Sequence, residues 1–423
     1  MLEIEKGAKE LNIPVYKANR KIVATTNGGL KYPSPLVFNS EWKHEEPHDD
    51  AKRFNYPSVF GVTRPENDED IAFMTILELG HLIQTEKITS EELVGIFLKR
   101  LKRYNPVLEA VITITEDLAY KQAKQADQLL AQGVYLGAVL IGKLVTGSLA
   151  YDDIWFGGRT RNPWNIEEFT TGSSAGPAAC TSAGMVPFAI GSETAGSITY
   201  PAARCGVTAL RPTFGAVGRT GVLSLSESLD KLGPLCRSAV DCAIVLDVIR
   251  GKDPDDLSSR KILLDDPFSV DITKLTVVDV LKSQGVKMVP FKLGYTVDSA
   301  QGILNFTMDV DMLAHFDTWQ RSGEDDEESF TVDAFVGNAT DWEKVCVSNL
   351  VGMPVMVVPV GFEMIPDPPT EKTRRRSTAL ALTMAYQTIT NHHKRRPPID
   401  DLGLDDKIPN PPKAVIPPRK LGG

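Results

Sequence analysis

Two runs rich in glycine and serine constrain this chain more than any other feature. The first reads TGSSAGPAA from Thr171, and the second reads GSETAGSITYPA from Gly191. Such composition also occurs in flexible linkers and where helices pack closely. A linker would not carry an apolar stretch like residues 186–190 between its halves. We therefore expect two tight turns, each followed by small residues, on either side of a strand.

Small residues of this kind suit a serine nucleophile. A catalytic hydroxyl is best presented from a tight turn, and small neighbours let the substrate approach it. Backbone N–H groups just before such a serine can converge on the oxyanion of a tetrahedral intermediate. Thr194, Ala195 and Gly196 precede Ser197 and carry N–H groups in this position.

The two runs resemble the hallmark of the amidase signature family, in which a GGSS-G run is followed by G-x-[DE]-x-[GA]-G-S-I. The match continues at LRPT from Leu210 and LDKLGP from Leu229, and it covers most of residues 70–362. The resemblance implies an α/β fold, with a mixed β-sheet covered by helices on both faces. It also implies cleavage of an amide C–N bond through a serine ester, without a metal or other cofactor.

The family's functional residues map onto both runs. By resemblance, Ser197 is the nucleophile, and Ser173 is a serine that follows a cis peptide and relays the proton of Ser197. The oxyanion and substrate would be bound by the remaining turn residues, namely Thr194, Ala195, Gly196, Gly172 and Ser174.

The catalytic lysine of the family has no counterpart here. Residues 133–137 resemble the lead-in to the lysine strand, whereas residues 138–143 resemble a strand that the family places later. We therefore expect that a segment with the base is absent between Gly137 and Ala138. Similarly abrupt joins occur near residues 278, 329 and 374–381. Lys143 follows a strand and is only a weak substitute for the base.

A second departure concerns the nucleophile turn. Glu193 stands where the family often has aspartate, and Thr199 stands where an arginine often follows the Ser–Ile pair. The loss of that acid–arginine pair would leave the turn less rigid.

Other functions stay open at this point. The chain could be an inactive homologue that lacks its base, or it could be the A-type component of a glutamine amidotransferase. Residues 172–176 also fit the G-x-S-x-G elbow of α/β-hydrolases, but the strand expected before that elbow is weak. The HEEPH run from His44 matches a zinc motif, although Pro47 would break its helix.

Composition limits the partners and the cellular compartment that we expect for the protein. A net charge of -9 argues against nucleic acid and anionic membranes as partners. Five cysteines without a C-x-x-C pair indicate a reducing compartment, and we find neither a signal peptide nor an apolar run long enough for a membrane span. We expect a cytoplasmic protein that acts on a small-molecule amide, with a homodimer possible.

The pattern also predicts the organisation of the chain. Residues 1–66 form an irregular extension, 67–396 an abridged amidase domain, and 397–423 a proline-rich tail. Helices are expected over 71–83, from an N-cap at Ser90 to Asn105, over 118–130 and over 239–249. Strands are expected at 111–114, 139–141, 186–190 and 356–360.

Overall fold

A computed structural model describes residues 53–135, 138–147, 153–222, 225–226, 228–262, 264–274, 304, 349, 354–359 and 376–399. Its helices within these ranges are α1 (Asp68–Ala72), α2 (Ile76–Gln84), α3 (Ser90–Leu108), α4 (Glu116–Leu130), α5 (Ala175–Ser182), α6 (Thr199–Arg204), α7 (Ala239–Ile249) and α8 (Arg376–Thr388). Its strands are β1 (Val111–Ile114), β2 (Gly142–Leu144), β3 (Ile154–Trp155), β4 (Gly158–Arg159), β5 (Arg161–Asn162), β6 (Asn165–Phe169), β7 (Phe188–Glu193), β8 (Thr208–Arg211), β9 (Lys231–Cys236) and β10 (Val355–Val357).

A four-stranded sheet organises the domain, in the order β10-β8-β9-β7. Neighbouring strands of this sheet pair antiparallel in the described residues. Strands β7 and β9 pair along their whole length, which places Glu193 opposite Lys231. The remaining described strands form the two-stranded units β1-β2, β3-β4 and β5-β6.

Helices cover both faces of this sheet. Successive side chains of a strand point to opposite faces, so neighbouring residues enter different layers. Leu235 packs with Ile198 and with other small residues of α5 and α6. Its neighbour Cys236 packs with Leu246 and other residues of α7 and α8. The α/β class with helices on both faces is therefore confirmed.

The long helix α3 differs from the prediction at both ends. Thr89, not Ser90, is its N-cap, because the Thr89 side chain accepts the N–H of Glu92. The N–H of Ser90 goes instead to the Asp127 carboxylate, at 2.7 Å. The helix also continues through Pro106 to Leu108, so the Asn105–Pro106 pair does not end it as expected.

The other predicted elements fit to different degrees. Strand β1, helix α4 and helix α7 lie where the sequence places them. The strand expected at 139–141 instead covers 142–144, because pairing with β1 begins where Gly142 faces Ile114. Strand β7 runs on to residue 193, since β9 pairs with it that far. The last predicted strand is Val355–Val357, and residue 360 lies outside the described residues.

Both predicted ends of the domain touch its core. Residues 53–66 contain no helix or strand, yet Phe54 is buried and its N–H binds the Asp247 carboxylate on α7. At the other end Ile399 is buried in the cluster formed by α3, α4 and α5. In the described part of the chain, no helix is both long and apolar enough to cross a bilayer.

Candidate active site

Ser197 lies in the turn that joins β7 to α6 and is half-buried. Gly196 precedes it with φ of 88°, a left-handed conformation that favours glycine. The Ser197 hydroxyl forms no hydrogen bond with the described residues. The Ser197 hydroxyl therefore does not help to hold this turn in its conformation.

Ser174 joins the two glycine- and serine-rich runs. Its N–H donates to the Ser197 carbonyl at 2.9 Å. Its hydroxyl donates to the Ser192 carbonyl at 2.9 Å and accepts the Ser192 N–H at 3.0 Å. The side chain is fully buried, so the Ser174 hydroxyl fastens the first run to β7.

The same contacts argue against a nucleophile elbow at residues 172–176. In that motif Ser174 would be the nucleophile, yet its hydroxyl is buried and committed to the β7 backbone. Among the described strands, the preceding strand β6 pairs with β5 alone and lies outside the four-stranded sheet. An elbow needs a sheet strand that ends at an exposed serine.

Gly172 and Ser173 form the turn before α5. Gly172 has φ of 78°, and a Cβ atom there would lie 2.7 Å from Cδ of Pro201. Ser173 is fully buried, and its hydroxyl has no hydrogen-bond partner among the described residues. The described residues contain no cis peptide, so the expected cis bond before Ser173 is absent. Thr171 and Gly172 turn the chain with two successive left-handed conformations instead.

Glu193 fixes the start of α6 from the end of β7. One carboxylate oxygen accepts the N–H groups of Ile198 at 2.8 Å and Thr199 at 2.9 Å. The other oxygen accepts Nη1 of Arg211 and Nδ2 of Asn349, each at 2.9 Å. Glu193 thus binds the two residues that follow Ser197.

Charge balance keeps this carboxylate ionised. Burial alone would raise the pKa of Glu193, but Arg211 and the Asn349 amide outweigh it and bring the pKa to about 2. Both Glu193 and Arg211 have fully buried side chains. Arg211 on β8 therefore pairs with Glu193 in place of the arginine that is missing at position 199.

Thr194 is held by a second buried acid. Its hydroxyl donates to one oxygen of Asp230 at 2.5 Å. The other Asp230 oxygen accepts the N–H groups of Leu225 at 2.7 Å and Ser226 at 3.1 Å. The N–H groups of Thr194, Ala195 and Gly196 donate to no acceptor in the described ranges. These three N–H groups can therefore donate to another acceptor.

The sequence-predicted substitute base does not share this environment. Lys143 lies on β2, opposite Thr113, with an exposed side chain. The structure instead buries another lysine, Lys231 on β9, which pairs directly with Glu193 on the neighbouring strand β7. The sequence did not identify Lys231 as a site residue, because the run LDKLGP from Leu229 indicated only a resemblance to the family. The available signal was a charged residue at the start of an otherwise apolar strand.

Several predicted features lie outside the described residues. These are the HEEPH run, Cys346, Gly137 at the expected join, the joins near 278 and 329, and residues 400–423. The other cysteines, Cys180, Cys205, Cys236 and Cys242, are buried free thiols.

Comparison with known proteins relates part of this chain to a known family. Residues 135–278, which contain both runs, match the family model described as Amidase. This stretch is about a third of the chain, and it is similar to the amidase signature family. The A-type component of the glutamyl-tRNA(Gln) amidotransferase of Sulfurihydrogenibium sp. (strain YO3AOP1) is 33% identical over 237 residues, which cover 44% of this chain and 49% of the relative. The same component from Coxiella burnetii (strain RSA 493 / Nine Mile phase I) is 35% identical over 234 residues, covering 44% and 48%.

Solved amidase-signature structures share the fold. The peptide amidase from Stenotrophomonas maltophilia superposes with a TM-score of 0.60 at 21% identity, over 77% of this chain and 98% of the amidase. The A-type amidotransferase component from Thermotoga maritima gives a TM-score of 0.58 at 20% identity, over 75% and 94%. The chain spans about half the length of the curated relatives that it matches.

Proposed function

We propose that this chain hydrolyses an amide C–N bond through an acyl-enzyme on Ser197. The observation behind this proposal is the half-buried Ser197 hydroxyl, which makes no hydrogen bond with the described residues. The backbone around it is held by two buried residues, Ser174 and Glu193. A rigid nucleophile turn keeps the reacting oxygen in one position and lowers the entropic cost of attack.

The chemistry follows from this geometry. Ser197 Oγ attacks the amide carbonyl as its proton passes to Ser173, whose buried hydroxyl has no other partner among the described residues, and Ser173 passes a proton onward to the leaving nitrogen. The carbonyl oxygen becomes an oxyanion, bound by N–H groups of Thr194, Ala195 and Gly196. The amine leaves with a proton, and water then releases the acid from the serine ester.

A second candidate is glutamine hydrolysis within an amidotransferase. The curated relatives quoted above are A-type amidotransferase components, which favours glutamine as the amide and a partner that receives ammonia. The same serine would then carry a glutamyl ester. Ammonia release from glutamine, measured against release from a panel of simple amides, separates the two candidates.

We also propose that the substrate is a small molecule and that the protein is cytoplasmic. The net charge of -9 and the buried free thiols support this. We propose a homodimer as the assembly to test, and sedimentation of the purified chain measures it.

The test of a live nucleophile is covalent labelling by a fluorophosphonate. Wild type should be labelled, whereas Ser197→Ala should not. Ser192→Ala is the matched control, because Ser192 contacts Ser174 through its backbone rather than its hydroxyl. It should be labelled like wild type.

Two results would remove the proposed function. Equal labelling of wild type and Ser197→Ala would place the reactive group elsewhere. A folded wild type without any labelling would make the chain the inactive homologue that lacks a base.

A further inference from the structure

A serine hydroxyl needs a proton acceptor, and the geometry points to one on β9. We propose that the Lys231 amine is the base that receives the Ser197 proton through Ser173. This inference rests on the proposed function and gives it the base that the sequence lacks at the family's position.

The register of the sheet places Lys231 on the correct face. Residues directly opposite each other in an antiparallel pair project to the same face, with Cβ atoms about 5 Å apart. Lys231 is opposite Glu193, whose carboxylate binds the N–H groups after Ser197. The side chain of Lys231 therefore leaves the sheet on the side that carries the nucleophile turn.

Neighbouring positions on β7 and β9 confirm this face. Leu235 follows Lys231 by four residues and packs against Ile198. Gly191 precedes Glu193 by two residues, and a Cβ atom on it would lie 2.6 Å from the Ser174 hydroxyl. Alternation along both strands thus puts Lys231 on the same side as Ser174, the residue next to Ser173.

The environment of Lys231 suits an uncharged amine. The side chain is only 3% exposed, and it forms no ion pair within the described residues. Its amine donates to the Leu229 carbonyl, a bond that a neutral amine can also make. A buried ammonium without a carboxylate partner would carry a large desolvation cost.

The nearby acids are committed to other groups. Glu193 pairs with Arg211, and Asp256 pairs with Arg219. Asp230 binds Thr194 and two backbone N–H groups. Burial, followed by the positive charge of Arg211, lowers the pKa of Lys231 well below the usual lysine range, against the opposing negative charges of Glu193 and Asp230. The lowered pKa favours the neutral amine, which is the form that accepts a proton.

The proton balance closes within the cluster. Ser197 gives its proton to Ser173 as its oxygen bonds to the carbonyl carbon, and Ser173 passes a proton to the neutral Lys231 amine. The resulting ammonium returns that proton, again through Ser173, to the nitrogen as the C–N bond breaks. Hydrolysis of the ester repeats the transfer with water as the nucleophile, so no further reactant is needed.

The experiment measures the rate of fluorophosphonate labelling of Ser197 against pH. Wild type should show one rise with pH, at a midpoint well below that of an ordinary lysine. Lys231→Met and Lys231→Arg should label about 10²- to 10⁴-fold more slowly and lose that rise. Lys143→Met, which removes an exposed lysine from β2, is the matched control and should behave like wild type.

A second readout does not depend on the variants folding. Amines lose their proton with a large enthalpy and carboxyl groups with almost none. The wild-type midpoint should therefore move to lower pH on warming. Circular dichroism establishes whether each variant is folded.

Each contrary outcome has a distinct meaning. Folded Lys231→Met with the wild-type rate and pH profile would overturn Lys231 as the base while leaving Ser197 as nucleophile. A wild-type midpoint that ignores temperature would do the same. Absence of Ser197 labelling in wild type would overturn the proposed function and this inference together.

Discussion

Replacing Glu193 by glutamine tests how the nucleophile turn is held. Glutamine has nearly the same shape and keeps an oxygen for the N–H groups of Ile198 and Thr199. It removes the charge that balances Arg211, and both side chains of that pair are fully buried. Breaking a buried ion pair from one side costs about 3–5 kcal/mol, because the remaining charge stays buried without a partner.

The pKa of Glu193 gives a similar magnitude. A carboxyl group whose pKa falls from 4.5 to about 2 on folding contributes about 3 kcal/mol at neutral pH. We therefore expect Glu193→Gln to lose about 3–5 kcal/mol of unfolding free energy in urea, followed by circular dichroism. Fluorophosphonate labelling of Ser197 should slow as well.

The matched control is Glu168→Gln. Glu168 pairs with Arg204 at 3.2 Å, but both side chains are more than two-fifths exposed. Surface pairs of this kind contribute about 0–1 kcal/mol, so this variant should unfold like wild type. Adding Arg211→Met to Glu193→Gln should recover part of the lost stability, because it removes the unpaired charge. Equal stability of Glu193→Gln and Glu168→Gln would refute the assignment of Glu193 as the anchor.

Three further predictions use the same assays. Folding lowers the pKa of Glu193, so the stability that its ionised carboxylate contributes is complete above about pH 4.5 and is lost as the pH falls toward 2. The difference in unfolding free energy between wild type and Glu193→Gln should therefore shrink over that range. A constant difference would contradict this prediction. Gly172→Ala should cost about 1–3 kcal/mol, because φ is 78° and the new Cβ would meet Pro201, whereas an unchanged urea midpoint would contradict this strain. Ser174→Ala should cost about 1–3 kcal/mol of unfolding free energy, because the N–H and carbonyl of Ser192 lose their buried partner. The same variant should label Ser197 more slowly. Wild-type stability would show that these hydrogen bonds do not hold the two runs together.

Local sequence signals predicted much of the fold. The continuous apolar stretch of α7 and the alanine-rich stretch of α4 predicted those helices closely, because each extends over several turns. Ends were less predictable, as at α3, where an aspartate on α4 takes the N–H of Ser90 and leaves Thr89 as the cap. Such a contact depends on tertiary packing that no local pattern contains.

The candidate site shows the same division. The two runs predicted the turn residues, and the structure joins the two turns by a hydrogen bond from the Ser174 N–H to the Ser197 carbonyl. The sequence did not reveal that Arg211 would replace an arginine at position 199, since that pairing crosses from β7 to β8. Nor did it reveal Lys231 as a buried amine, because burial follows from the sheet register.

The most direct measurement of the central claim is the mass of the Ser197 peptide during turnover. An activated ester such as p-nitrophenyl butyrate should acylate the nucleophile, and an acid quench should trap the ester. We predict a butyryl group on the peptide that contains Ser197, and none on that peptide from Ser197→Ala. A butyryl group on another residue, or release of nitrophenolate without any acylated Ser197, would contradict the account.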